Sequence, residues 1–281
     1  MKNSLLLLLI FLLFGCSVEE EIPLVYSQAI TYPNGSANKA IGKIAIISIF
    51  ISEEETSWDF SKQEDIDARE NTLTYLKIAC DYLTLEASKY DQELELIYNW
   101  QENTDLYYEV EYEDNMIDQR NYMLDQYLWE YIDDNIKLSP FEYDGFVYMF
   151  FYNTDLDYDH TSNTRSYYEN MPYPYEFCSI YVHSFNIEEN PAAYAHEILH
   201  TFGAPDLYMA GNYNINEEFV EYVSINMAND LMYTVYDLES GLPLYDQINN
   251  EISDLDAYYI GWLDECELVE EWNLSVSDFQ D

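Results

Sequence analysis

The chain has 281 residues, of which 48% are hydrophobic, so it is long enough and apolar enough to bury the core of one large domain or two small ones. Its formal net charge of -45, with only 10 lysine and arginine residues, argues against a nucleic-acid partner, because a phosphate backbone must be neutralised by a basic surface. The same excess of acid opposes adsorption to an anionic bilayer by charge.

The N-terminus has the pattern of an export signal. Lys2 precedes an apolar run, Leu5 to Phe14, that is too short to span a bilayer comfortably. The residues that follow complete the sequence Leu-Phe-Gly-Cys, which resembles a bacterial lipobox and implies a lipoprotein signal peptide over 1–15, with lipid on the Cys16 thiol. We therefore expect an exported protein, held by this lipid in the membrane of the cell envelope or at the cell surface. An uncleaved signal anchor is the alternative.

A tether and then alternating strands and helices are predicted next. Residues 16–40 contain acidic residues, two prolines and a Pro-Asn-Gly-Ser turn, with little periodicity, and this predicts a tether. The β-branched run at 43–52 predicts a strand buried on both faces. An apolar stripe over 66–90 predicts a long helix, and two further strands are expected at 93–100 and from Leu106.

The same alternation continues to residue 210. Apolar spacing from Met116 to Ile132 predicts a helix, and the runs FVYMFFY and FCSIYVHSF, at 146–152 and 177–185, predict strands. We therefore expect an α+β domain over 41–210, with a mixed twisted sheet and helices packed on it.

Beyond Gly211 the sequence changes character. Polar loops precede a segment in which Ser253 and Asp256 are spaced as in a helix cap, so a helix is predicted over 253–262. We expect a small, irregular and helical C-terminal subdomain over 211–281.

Between the two parts lies the stretch HEILHTFGAPD, at 196–206. Asn190 and Pro191 are favourable for a helix start, and Gly203 is favourable for its end. On a helix between them, His196 and His200 project side by side from successive turns, at a separation that one metal ion can bridge. The apolar residues fall on the opposite side, so the histidine edge is free to line a cleft.

Two imidazoles need a third ligand to hold a catalytic metal. Asp206 is the candidate, since Gly203 permits a reversal of the chain, and another carboxylate beyond Gly211 is the alternative. Zinc suits two nitrogens and one oxygen, with a fourth position for a water whose pKa falls to about 7. Glu197 is then placed to act as general base and acid. The competing interpretation is a helix whose histidines make only surface or core contacts.

The stretch at 196–206 resembles the metzincin signature HExxHxxGxxH, with aspartate in the last place as in snapalysin-type bacterial enzymes. PAAYAHEILHTFGAPDLY and DAYYIGWLD are similar to stretches of immune-inhibitor-A-like peptidases. The resemblance implies a zincin-like fold, a zinc endopeptidase activity with Glu197 catalytic, and a methionine turn, for which Met232 is the candidate. Tyr233 follows Met232 directly, not two residues later as in astacin-like enzymes, so we assign it no catalytic role.

Weaker patterns lie elsewhere. Asp155, Asp157 and Asp159 alternate as in a calcium loop, but glycine and glutamate are missing at the required places, so a solvated acidic loop is the preferred interpretation. His160 and His183 have no partner motif. Three cysteines remain if the first is lipidated, which allows one internal disulfide at most; they are Cys80, Cys178 and Cys266.

These features predict a lipid-anchored zinc metalloprotease that hydrolyses peptide bonds in extracellular protein or peptide substrates. We expect the strand at 177–185 to pair with an extended substrate. Two other classes of protein remain as alternatives: an inactive, adhesin-like surface lipoprotein on the same type of fold, and a metal-scavenging lipoprotein that binds several weak ions on its acidic surface.

Overall fold

The computed structural model describes residues 34–53, 56–99, 104–112, 122–138 and 142–275. The predicted signal peptide, Cys16 and most of the predicted tether lie outside these ranges, as do the first residues of the helix expected from Met116. Within the described ranges, every helix is too short or too polar to cross a bilayer.

A six-stranded mixed sheet forms the centre of the fold. Its strands are β1 (Gly42–Ser52), β2 (Leu94–Tyr98), β3 (Tyr107–Glu111), β4 (Gly145–Tyr152), β5 (Asn163–Arg165) and β6 (Phe177–Tyr181). Their order is β2-β1-β4-β6-β5, and β3 pairs with β1 beyond the end of β2. All pairs are parallel except β5 with β6. Among the described strands β5 has one partner only, so its outer edge is free.

Three helices cover this sheet: α1 (Gln63–Lys89), α2 (Tyr122–Asn135) and α3 (Pro191–Thr201). The buried strand β1 faces both layers, because its residues alternate between two hydrophobic cores. Ile44 and Ile46 belong to the core that contains residues of α1 and α3, whereas Ile47 and Ile49 belong to the core that contains residues of α2. The prediction of a strand buried on both faces is confirmed.

Residues after the sheet form a hairpin and three more helices: β7 (His183–Ser184), β8 (Ile187–Glu188), α4 (Glu217–Asn226), α5 (Asp254–Tyr259) and α6 (Glu267–Trp272). The expected helix at Ser253 is confirmed, since its hydroxyl accepts a hydrogen bond from the Asp256 N–H. Helix α4 was not predicted. Phe219 of α4 and Leu255 of α5 are fully buried in the same core as α1 and α3, so the C-terminal part shares one core with the sheet.

Two expectations about the chain need correction. The predicted tether extended to Ala40, but Ala37 and Ala40 are buried and the Ser36 N–H donates to the Glu176 carboxylate over 2.6 Å. The folded part therefore begins before Ala40, because these small side chains fit against the core. The strand expected to pair with substrate, β6, lies between β4 and β5. β4 pairs with the whole length of β6, and β5 pairs with Phe177, Cys178 and Ser179 on its other edge, so β5 is the accessible strand at this side of the sheet.

Candidate metal centre

Helix α3 is fixed at both ends by its local sequence. The Asn190 side chain accepts from the N–H groups of Ala192 and Ala193 in the first turn of the helix. Gly203 ends the helix with a φ of 102°, a conformation that costs a residue with a Cβ more than it costs glycine. The reversal that follows directs the chain back towards the histidines, as predicted.

The two histidines and Asp206 meet at one point. His196 Nε2 and His200 Nε2 are 3.0 Å apart, and each lies 3.2 Å from Asp206 Oδ1. Tetrahedral ligands at 2.0–2.1 Å from zinc lie about 3.3 Å from one another, so this triangle has the right size for one ion. Among the described residues, these three form the one cluster of histidine, cysteine and carboxylate groups with ligand spacing.

Backbone carbonyls determine which ring nitrogens are free. His196 Nδ1 donates to the Leu231 carbonyl over 3.0 Å, and His200 Nδ1 donates to the Ala204 carbonyl over 2.7 Å. A neutral imidazole with its proton on Nδ1 presents a lone pair at Nε2. Three possible ligand atoms thus face each other, with the buried Asp206 Oδ1 equally close to the two Nε2 atoms. Such a convergence requires a positive charge between the atoms, so these residues fit a divalent cation.

The pKa shifts of His200 and Asp206 both favour the charged form of the side chain. Burial lowers the pKa of His200, but the hydrogen bond to Asp206 and the charges of Glu197 and Asp206 outweigh it and raise the pKa to about 9. Burial raises the pKa of Asp206, but the two histidines hold it well below its usual range. Positive charge is therefore stabilised where the three ligand atoms meet.

Glu197 lies beside the triangle and is not part of it. Its side chain is buried, and Oε2 accepts a hydrogen bond of 2.7 Å from the Thr164 hydroxyl. The same hydroxyl lies 2.9 Å from the Glu197 carbonyl, so β5 holds the helix and the carboxylate together. No described residue donates to the other oxygen, Oε1. Thr164 stands in no sequence motif and was not predicted as a site residue.

The predicted methionine turn lies against the ligands. The Leu231 carbonyl holds the ring of His196, and the Met232 carbonyl accepts from the Leu207 N–H over 2.9 Å. Met232 is fully buried. Its N–H donates to Asp230 Oδ1 over 2.7 Å. The turn is thus hydrogen-bonded to His196 and to Leu207, which follows Asp206, and it supports the site from below.

Asp230 in turn belongs to a buried pair of acids. It lies beside Asp256 of α5, and neither oxygen of Asp256 accepts a hydrogen bond from the described residues. Burial first, and then the charge of Asp230, raises the pKa of Asp256 well above its usual range. Burial of the two carboxyl groups side by side therefore opposes two negative charges on the pair.

Two cavities adjoin the ligands. The first, of about 430 Å³, is lined by β5 and is called the β5 cavity. The second, of about 290 Å³, lies towards β8 and the turn after Met232, and Glu189 lines it. His196, Glu197 and Tyr208 line both cavities. His196 and Glu197 therefore lie between the two cavities, whereas His200 and Asp206 line the β5 cavity only.

Tyr208 is a site residue that the sequence analysis missed. Its ring stacks on His196 at 6.4 Å between centroids, and half of the residue is exposed. Burial, then the charge of Asp206 and a hydrogen bond to it, raises the pKa of the Tyr208 hydroxyl above its usual range. The hydroxyl is thus protonated and close to the metal ligands. Its place two residues after Asp206 is the one signal that could have indicated it.

The weaker sequence patterns lie away from this centre. Asp155, Asp157 and Asp159 are exposed in a loop and form no ligand cluster with other residues of the described ranges. His160 contacts Asp159, and His183 Nδ1 bonds to the Thr154 carbonyl. The disulfide that the sequence allowed is not formed, because all three cysteines of the described chain are free thiols: Cys80, Cys178 and Cys266.

Comparison with known proteins adds no assignment, since no family model and no curated protein matches the chain.

Proposed function

We propose that the protein is a zinc-dependent endopeptidase with a zincin-like fold of the metzincin type, which hydrolyses peptide bonds in protein or peptide substrates. The observation that carries the proposal is the convergence of His196, His200 and Asp206 on one point with the Glu197 carboxylate beside it. We further propose that the protein is exported and held at the cell envelope by lipid on Cys16.

The ligand set favours zinc over other divalent ions. Two imidazole nitrogens and one carboxylate oxygen suit zinc better than calcium or magnesium, which prefer oxygen ligands. When bound, zinc supplies a Lewis acid that polarises a peptide carbonyl and lets water ionise near neutral pH. His196 and His200 would hold it through Nε2, since the Leu231 and Ala204 carbonyls keep both rings in the required tautomer.

Glu197 provides the proton transfers. It takes a proton from the water that attacks the scissile carbonyl and gives it to the leaving amine. Its Oε2 is restrained by Thr164, and its Oε1 receives no hydrogen bond from the described residues, so one oxygen is positioned and the other is free to act. The Tyr208 hydroxyl, protonated and half exposed beside His196, is a donor for the negative charge that develops on the carbonyl oxygen.

An extended substrate is expected to bind along β5. This strand has a free outer edge, it lines the β5 cavity, and it contacts Glu197 through Thr164. Main-chain hydrogen bonds to β5 would orient the substrate without regard to its sequence. Side chains on the two sides of the scissile bond would then enter the two cavities.

Replacement of Glu197 by glutamine tests the proposal. Zinc content by elemental analysis should stay near one ion per chain, while the rate of hydrolysis of an unfolded protein falls about 10²- to 10⁴-fold, because general acid and base catalysis is lost. Glu218→Gln is the control, since Glu218 is exposed on α4.

Other outcomes favour the other classes of protein. One tightly bound zinc without chelator-sensitive hydrolysis in the natural chain would indicate an inactive binding lipoprotein. Several weakly bound ions would indicate a metal-scavenging protein.

A further inference from the structure

The second cavity beside the metal centre has an unbalanced charge. Glu188, Glu189 and Glu197 are among its lining residues, and no lysine or arginine is. The carboxylate of Glu188 is already engaged, because Oε1 accepts a hydrogen bond of 3.1 Å from Tyr75. Glu197 is bonded to Thr164. Glu189 is different, since within the described chain its carboxylate has neither a hydrogen-bond donor nor a cationic partner.

Glu189 is also largely enclosed by protein. Burial first, and then the charge of Glu197, raises the pKa of its carboxyl group to about 8. A carboxyl group that lacks a partner in such a place is costly, and a cation beside it would remove the cost.

The walls of the cavity suit the stem of a long basic side chain. Phe185, Ile187 and Val235 supply apolar surface, and Tyr233 and Tyr236 supply aromatic rings. Lysine and arginine bury their hydrocarbon stems against such surface and place their charge at a polar group or over a ring. A volume of about 290 Å³ is at the lower limit for small-molecule sites, which suits one side chain better than a larger ligand.

We propose that this cavity receives a lysine or arginine side chain of the substrate, directly next to the scissile bond, with the Glu189 carboxylate as its counter-ion. The inference rests on the proposed peptidase function and adds a substrate class to it. His196 and Glu197 line the cavity, so a residue bound there is adjacent to the bond that Glu197 helps to break. The net charge of -45 attracts polybasic substrates over a longer range.

The first test maps cleavage sites. The zinc-loaded full chain is incubated with peptides made by cleavage at glutamate, so that lysine and arginine lie within them, and the products are sequenced by mass spectrometry. Lysine and arginine should be enriched about tenfold or more at one fixed position next to the cleaved bond. Cleavage without such enrichment overturns the inference and leaves the peptidase function standing.

The second test compares two peptides that differ at this position only, one with lysine and one with norleucine, which has a similar stem and no charge. Glu189→Gln should lower the ratio of kcat/KM for the lysine peptide to that for the norleucine peptide on the order of 10²-fold, as expected for loss of one member of an enclosed charge pair. Glu218→Gln should leave the ratio unchanged. A ratio that Glu189→Gln does not alter contradicts the proposal, whereas a lower melting temperature alone indicates a structural role.

A binding measurement separates this inference from the proposed activity. Nα-acetyl-argininamide and Nα-acetyl-norleucinamide are titrated into the zinc-loaded chain and followed by NMR. The arginine compound should bind at least about tenfold more tightly, and Glu189→Gln should abolish the difference. If no peptide is hydrolysed at all, the peptidase function fails and this comparison alone decides the cavity: equal binding of the two compounds overturns the inference.

Discussion

At the metal centre, single atoms decide whether a cation binds. Asp206 Oδ1 is 3.2 Å from each histidine Nε2, and both rings are held by carbonyls at Nδ1. Because the carbonyls only accept hydrogen bonds, they hold the protons on Nδ1 and leave the lone pairs at the centre. The ligand geometry is thus determined as much by Leu231 and Ala204 as by the histidines themselves.

Asp206→Ala tests the third ligand. Zinc affinity should fall more than about 100-fold, since even the loss of a group that only supports a ligand costs about 10- to 100-fold. Titration with a chromophoric zinc chelator measures it. Asp246→Ala, a change of the same type at an exposed position, should have no effect. Retention of full affinity by Asp206→Ala would show that another carboxylate serves as the ligand.

Thr164→Val tests the support of Glu197. The replacement keeps the shape of the side chain but removes the hydroxyl that donates to Oε2. We expect kcat to fall about 10-fold, by analogy with other groups that orient a catalytic residue, with unchanged zinc content. Thr164→Ser should restore most of the activity. Equal activity of the valine and threonine forms would remove Thr164 from the mechanism.

At the scale of elements, helix α3 carries two of the three candidate ligands, and the chain reversal after it positions the third. Gly203 permits the reversal, and the N–H groups of Gly203 and Ala204 bond back to the helix carbonyls of His200 and Leu199. The helix is therefore closed by its own backbone, and Ala204 is placed where its carbonyl reaches the His200 ring. An error of one residue in the helix end would misplace that carbonyl and Asp206 together.

Gly203→Ala tests this reversal. A φ of 102° is strained for alanine, so the free energy of unfolding should fall by about 1–2 kcal/mol in urea denaturation. Zinc affinity should fall too, because relief of the strain moves Ala204. Gly241→Ala provides the comparison, since Gly241 also has a positive φ, of 68°, in an open loop. It should lower stability without a change in zinc affinity.

At the scale of the whole molecule, a buried carboxyl group fastens the start of the folded chain to the sheet. Glu176 Oε2 accepts from the Ser36 N–H and hydroxyl, both over 2.6 Å, and from the Ala37 N–H over 3.1 Å. A Cβ on Gly35 would lie 1.8 Å from Glu176 Oε1, so the chain passes too close for any other residue there. Burial raises the pKa of Glu176 to about 7 in spite of these hydrogen bonds.

This raised pKa makes stability depend on pH. Between the ordinary value of 4.5 and about 7, the folded protein keeps a proton that the unfolded chain has released. The contribution of Glu176 to the free energy of unfolding is therefore complete below pH 4.5 and is lost as the pH rises to 7. The total loss is about 3 kcal/mol. Urea denaturation at pH 4.5 and pH 8 measures the free energy of unfolding. Its decrease between the two pH values should be smaller for Glu176→Gln than for the natural chain. Glu218→Gln, at an exposed position, should behave as the natural chain does.

Much of the fold was predictable because its signals are local. The β-branched run of β1, the apolar stripe of α1 and the caps of α3 each lie within one element, and all three predictions are confirmed. Helix α4 and the three-residue strand β5 were missed. The first has a local helix pattern that was overlooked, since Asn216 caps it and the buried Phe219 and Val223 are one turn apart, whereas the second is too short to show alternation.

The sequence by itself determined the helix, the spacing of His196 and His200, and the turn that brings Asp206 back, because these depend on contacts within eleven residues. Only the tertiary structure decided that Thr164 contacts Glu197 and Leu231 contacts His196, and that β5 covers β6 at the edge of the sheet. Thr164 and Leu231 come from segments that are distant along the chain from helix α3 and carry no common motif with it. Their meeting depends on how the sheet and the shared hydrophobic core assemble, and no local pattern encodes that assembly.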